Sequence, residues 1–276
     1  MTQRIWVLTR FLIQRTLFSL TGILYVILAL VYWRFLFPAE QGTPDIENYF
    51  LIIGAFGAVM AFVVTLTAAS RANEAANYPL LVRLPSRVEF LTAVLLTSFL
   101  VTLMLQLLVA ALALIGGPNL LSGRALEIPP IWLATNVLAA VLAMHASDFV
   151  ARGWSRVYIY GTLALFLVGQ SSSSSFVPWL ARRLNTFSVT LINRGWLDMA
   201  ASINRLVSWL YGDGVTVVGS VLGFVFWPFR AITEAIINGY FDTNQALAPA
   251  VMLLYATILF MLAADLFANK DLDFIE

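Results

Sequence analysis

The chain has 276 residues, 61% of them hydrophobic and only 11% charged, with a formal net charge of +1 and a mean hydropathy of +0.86. A soluble domain carries about 25% charged residues, so this chain cannot cover a water-facing surface and reads as an all-α integral membrane protein. Cysteine is absent, His145 is the single histidine and Lys270 the single lysine, which excludes disulfides, thiolate or multi-histidine metal sites and a Gly-rich phosphate loop ending in Lys; the near-neutral charge gives no case for nucleic acid.

Residues 2–16 carry Arg4, Arg10 and Arg15 among apolar residues. They suggest an interfacial helix anchored by Trp6 and Phe11. The apolar run behind them is too long for the core of a cleavable signal peptide. A spanning helix needs about 20 apolar residues, and five segments reach that length: 17–37, 49–69, 90–115, 131–151 and 247–268. A sixth, 157–176, is apolar to Gly169 and then meets Gln170 and the serines Ser171–Ser175. Those serines either finish a span by bonding back to helix carbonyls or open a loop.

Between the fifth and sixth spans lies the stretch 177–246. Leu180, Leu184, Phe187 and Leu191 recur at helical spacing, as do Trp196, Met199, Ile203, Leu206 and Leu210, with Arg182, Arg183, Arg194, Asp198 and Arg205 between them. Two amphipathic surface helices satisfy this pattern. Residues 215–229 are apolar and end at Pro228-Phe229. At about 1.5 Å per residue they fall short of a ~30 Å hydrocarbon core, so a re-entrant segment is expected. If they cross, the chain has seven spans instead of six.

Arginine counts in the short loops orient the chain. One side holds Arg4, Arg10, Arg15, Arg71, Arg83, Arg87, Arg152 and Arg156; the other holds Arg34 and Arg124 beside Glu40, Asp45, Glu47 and Glu127. Six spans therefore place both termini in the cytoplasm. The cytoplasmic loop 71–89 is unusually rich in charge and also carries Leu80, Leu81 and Leu84. It is either a solvated connection or an amphipathic element docking a partner, which exposed leucines would favour. Within the spans, His145 and Asp148 share a helix face. They form either a proton relay or a cytoplasmic-end arrangement in which Asp148 pairs with Arg152. Gly54, Gly57, Ala58 and Ala61 offer a small-residue face for close helix contact, as do Gly219 and Gly223.

Two stretches resemble a known family. Glu74 followed by Leu80-Leu81-Val82-Arg83-Leu84-Pro85-Ser86-Arg87 is similar to the cytoplasmic coupling segment of type-2 ABC exporter permeases. The run Trp227-Pro228-Phe229-Arg230-Ala231-Ile232-Thr233-Glu234-Ala235-Ile236-Ile237-Asn238-Gly239 is similar to the family's Asn-Pro-Leu motif with its following Glu and Gly, though Trp227 replaces the usual Asn. The resemblance implies one permease domain over residues 1–276, pairing with an identical or related second permease; the bias to Arg over Lys suggests a prokaryotic genome and so an inner or plasma membrane. Each copy would dock on a separate cytoplasmic ATP-binding cassette subunit, which holds the ATP and Mg, so this chain would be no enzyme and bind no cofactor itself. Docking would fall to Arg71, Glu74, Tyr78, Leu80, Arg83, Leu84, Pro85 and Arg87. The re-entrant motif would comprise Pro228, Glu234 and Gly239. A substrate path between the two permeases would be lined by Phe56, Met60, Phe62, Tyr160, Phe166 and Gln170. Competing readings are a structural membrane subunit without an ATPase and a proton-coupled transporter using His145 and Asp148; the outer amphipathic stretch hints at an amphiphilic cargo or an outer partner, or is a lid.

Overall fold

The computed structural model describes residues 2–37, 46–74, 77, 83–116, 128–148, 150, 160, 173–238 and 242–269. Among them there is no β-strand. The helices are α1 (Thr2–Leu17), α2 (Leu20–Leu36), α3 (Ile46–Ala72), α4 (Arg87–Ala113), α5 (Ile128–Ala146), α6 (Ser173–Asn193), α7 (Leu197–Trp209), α8 (Val215–Asn238) and α9 (Ala248–Ala268). Four of them are long and apolar enough to cross a membrane: α3, α4, α5 and α9. The pair α1 and α2, bent by 71° at the break between them, makes a fifth if counted as one span. The chain thus fits a multi-pass membrane protein. The segment 157–176 lies outside the described residues except for Tyr160 and residues 173–176, and Ser173, Ser174 and Ser175 open α6.

The chain divides into two compact units, Met1–Val157 with Ala231–Glu276, and Tyr158–Arg230. In the first, α3 packs on both α4 and α5, α9 packs on α5, and α1 and α2 lean on α4. One side of α4 lies in the interior along its whole length. Phe90, Leu91, Val94, Val101, Leu105 and Val109 are all within the interior, as a helix surrounded by neighbours requires. At one end, Phe90, Leu91 and Val94 meet Ala69 and Ala72 of α3, Met144 of α5 and Ala263 and Phe267 of α9 in one cluster. At the other end the packing is aromatic. The Tyr49 ring stands 6.5 Å from Phe37 and 6.2 Å from Trp132.

The helix expected over residues 2–16 forms as α1, with Trp6 and Phe11 exposed. Its other face is not open, however: Thr9 is fully buried, and its carbonyl accepts from Thr97 Oγ1 of α4 at 3.4 Å. By contrast α2 buries only Gly22, Tyr25 and Ala29. Phe18, Leu20, Ile23, Leu24 and Ile27 around it stay exposed, which suits a helix facing lipid chains. Ser19 caps its start by accepting from Gly22 N–H at 3.4 Å. Ser86 does the same for α4 through Val88 N–H at 3.3 Å, and Glu89 places a carboxylate in the favourable first turn.

In the second unit the two predicted amphipathic helices are present as α6 and α7. They close on a small core of Val177, Ala181 and Leu210, flanked by Leu180 and Leu184. Gly195 joins them at φ +79°, and Trp196 N–H reaches back to Leu191 C=O at 3.0 Å. That left-handed turn ends α6 where a residue with a side chain would be strained. The expected fifteen-residue re-entrant segment is instead the first part of the 24-residue α8, which continues through Pro228. At about 1.5 Å per residue α8 is ~36 Å long, so length no longer argues against a crossing. Proline removes one backbone donor but does not end this helix.

Candidate functional site

Two polar constructions stand out in the helical bundle of the first unit. The first joins the three best-packed helices. Gln106 of α4 donates from Nε2 to Ile53 C=O of α3 at 3.0 Å and accepts from Asn136 Nδ2 of α5 at 2.6 Å. Both side chains are fully buried. Trp132 Nε1 adds a donor to Phe50 C=O at 3.3 Å, and Tyr49 Oη donates to Ala110 C=O at 2.9 Å. Apolar surroundings leave such groups no water to turn to, so each must find a protein partner. Gly57 is what lets them meet: a Cβ there would lie 2.3 Å from Gln106 Nε2 and 2.6 Å from Asn136 Oδ1. Asn136 Oδ1 has no hydrogen-bond donor among the described residues.

The second construction lies at the Arg-rich end. Arg15, at the end of α1, donates from Nη2 to Glu74 Oε2 at 3.0 Å and from Nη1 to Asn77 Oδ1 at 3.1 Å. Asn77 is buried and passes the link on, donating from Nδ2 to Arg71 C=O at 2.6 Å and so satisfying a carbonyl at the end of α3. The Arg71 side chain turns the other way. Its guanidinium donates to Ser19 Oγ at 3.2 Å and to Thr21 Oγ1, at the start of α2. The loop after α3 is therefore tied to α1 through Glu74 and Asn77, and the end of α3 to the start of α2 through Arg71, by contacts fifty or more residues apart in sequence. The Arg15–Glu74 pair is partly in water, its side chains 38% and 50% exposed.

This geometry sorts the candidate docking residues. Arg71 and Glu74 are engaged within the chain. Leu84, expected to seek a partner surface, is half-buried and packs against the cluster of Phe90, Phe267 and their neighbours; its own chain covers it. Arg83 and Pro85 are exposed, Arg87 is half-buried, and Tyr78 and Leu80 lie outside the described residues. Of the candidate path residues, Phe56 and Met60 are buried, Phe56 stacking at 4.8 Å on Tyr32. Phe62 is half-buried and Tyr160 exposed, while Phe166 and Gln170 lie outside the described residues. Of the expected re-entrant motif, Pro228 is buried, Glu234 is half-buried and Gly239 lies outside the described residues. No atom lies within 4 Å of where a Cβ would sit at Gly219 or Gly223, among the described residues, so that small-residue face makes no close helix contact here.

His145 and Asp148 separate. His145 is fully buried, and its Nε2 meets Leu259 C=O of α9 at 2.8 Å. A carbonyl only accepts, so Nε2 carries the proton and His145 serves as a latch between α5 and α9. Asp148 lies beyond the end of α5 and is exposed; its expected partner Arg152 lies outside the described residues. Among the described residues no group of three or more acidic, histidine or cysteine side chains could hold a metal ion. Sequence reasoning missed Arg15 and Asn77 as loop partners, and Gln106 and Asn136 altogether. Two amides inside otherwise apolar spans were the available signal. No family model, curated protein or solved structure matches the chain.

Proposed function

We propose that this chain is the membrane permease subunit of an exporter driven by a separate cytoplasmic ATPase subunit. The observation that carries the reading is the tie at the Arg-rich end. A coupling loop must pass a push from a soluble partner into the spans, and slack connections transmit nothing. Here Glu74 and Asn77 join the loop after α3 to Arg15 of α1, Arg71 joins the end of α3 to the start of α2, and Leu84 packs the loop's far side into the bundle. A load on the loop reaches α1 and α3 directly and α2 through Arg71. The reading includes six spans with both termini in the cytoplasm, the fifth formed by residues 157–176, and a second permease chain beside this one.

The exposed face for the partner is then Arg83 and Pro85, with Arg71 and Glu74 behind it as transmitting residues. The test is purification of the tagged chain from its native host in mild detergent. A stoichiometric ATP-binding cassette subunit is expected, lost in Arg83→Glu without change in the elution of the chain itself. Leu84→Asp is a poor probe, because it disrupts the bundle's own packing. A stable complex that contains no ATPase would sink the proposal and favour a structural membrane subunit. Topology is checked separately. The chain has no cysteine, so single cysteines at residues 3, 122, 195 and 272 report their side by membrane-impermeant labelling. Labelling of residue 272 from outside would replace six crossings by seven.

A further inference from the structure

We infer that α1 is a hinged arm: it turns about a joint at residues 18–22 and is latched across the bundle by Arg71, Glu74 and Asn77. The joint is the 71° bend between α1 and α2. Sharp bends without proline fall at glycine or serine pairs, and residues 2–36 hold no proline. Ser19, at φ −98° and ψ 163°, leaves helical geometry and turns the chain. Its Oγ donates to Thr16 C=O at 2.7 Å and accepts from Gly22 N–H at 3.4 Å. Gly22 is needed because the bend folds the chain back onto it. A Cβ there would lie 2.5 Å from the Thr16 carbonyl oxygen and closer still to that of Leu17. The flanking Leu17, Phe18, Leu20 and Ile23 are all tolerated inside a helix, so the local sequence permits a straight form as well.

Three observations make the bend a latched position and not a fixed elbow. The polar groups that brace it from outside all come from one short segment. Arg71 donates from Nη1 to Ser19 Oγ at 3.2 Å and from Nη2 to Thr21 Oγ1, while Glu74 and Asn77 accept from Arg15 at the end of α1. The bend also interrupts the helical ladder. Ile23 N–H is bonded to Ser19 C=O at 3.2 Å, and a straight helix would restore the bonds that Leu20, Thr21 and Gly22 forgo at the start of α2. Finally, α1 can leave α4 without stranding a polar group at their contact. Thr9 and Thr97 keep their hydroxyls on their own helices, with Ile5 C=O at 2.8 Å and Ala93 C=O at 2.7 Å, so parting them removes no strong bond. The apolar hold is modest too: Leu8 and Leu12 pack on the core cluster while only half-buried.

The absence of cysteine makes the joint measurable in the full chain. Spin labels on Gln3→Cys and Phe35→Cys, both exposed positions, report the bend by pulsed electron–electron double resonance in lipid nanodiscs. At about 1.5 Å per residue, the 71° bend sets these positions ~39 Å apart and a straight helix ~48 Å apart. The parent is expected to show the shorter distance alone. Arg71→Gln should add a second population at the longer distance, and Arg71→Gln with Asn77→Ala more of it. Gly22→Ala should add most, because its methyl group blocks the bend and favours the helix. Ile23→Ala, at the exposed neighbour, should keep the short distance. An unchanged short distance in both Arg71→Gln and Gly22→Ala overturns the joint, since packing alone would then fix the elbow. A second population in Gly22→Ala but not in Arg71→Gln overturns the latch. A featureless spread of distances overturns the arm, which would then be unfolding and not swinging. Should Gly22→Ala fail to elute as the parent does, Arg71→Gln, which adds no bulk to the interior, decides alone.

Discussion

The polar seam through α3, α4 and α5 and the charged junction at the Arg-rich end both cross-link helices, but by opposite means. The seam is neutral and fully buried: Gln106, Asn136 and Trp132 bond to each other and to backbone carbonyls over Gly57. The junction is ionic and half in water: Arg15, Glu74, Asn77 and Arg71 share partners across an open cleft. In an apolar interior a broken hydrogen bond has no replacement, so the seam admits one arrangement. At the membrane surface water or a lipid can replace any partner at small cost. The seam therefore fixes three helices as one body, whereas the junction can exchange its partners. The contrast teaches that position along the span, more than the number of polar groups, decides whether a contact is a rivet or a switch.

The sharpest way to break the comparison is to fill the space at Gly57. Gly57→Val is expected to destabilise the detergent-solubilised chain most, by about 1–3 kcal/mol or more, since overpacking a well-filled interior forces neighbours off their rotamers. Gly219→Val, where no described atom would be met within 4 Å, is the control and should be near neutral. Equal thermal shifts for both would mean that the seam is not close-packed. Next in size is the amide pair. Asn136→Leu strips Gln106 Oε1 of its donor, so it should cost more than its lost bond alone. Gln106→Leu with Asn136→Leu removes both needs, and the double variant should regain part of the loss. Membrane hydrogen bonds couple by about 0.6 kcal/mol on average and about 1.7 at most; a coupling near zero in the four-variant cycle would deny the bond at 2.6 Å any role.

These residues also mark what was legible in the sequence. The glycine and alanine stripe of α3 announced a close helix contact, because small residues in spans have few other uses. The leucine and phenylalanine spacing at 180, 184, 187 and 191 announced α6 for a similar reason: a pattern within one helix needs no knowledge of its partners. Gln106 and Asn136 went unread because each looks like a tolerated polar residue until the other is seen thirty residues away. Arg15 and Glu74, separated by 59 residues, are opaque for the same cause. Leu84 was misjudged because a leucine in a loop says it wants cover and nothing about which chain supplies it. The continuation of α8 through Pro228 was missed since proline more often ends a helix than sits within one.

The smallest effect expected is also the one that probes the junction most directly. Exchanging the charges of Arg15 and Glu74 should first weaken the tie in each single variant, Arg15→Glu or Glu74→Arg, and then recover it in the pair. An ion pair this exposed contributes at most about 1 kcal/mol, so the cycle must be read at low salt, where the Debye length reaches ~30 Å at 0.01 M. In 1 M salt the coupling should vanish while the coupling of Gln106 with Asn136 stays as it was. The seam has no charge to screen and no water to admit counter-ions. If salt weakened both couplings alike, the seam would be wetter than its full burial implies, and the distinction between rivet and switch would fail. If it weakened neither, Asn77 rather than the ion pair would be what holds the loop to α1, through its bonds to Arg15 and to the Arg71 carbonyl.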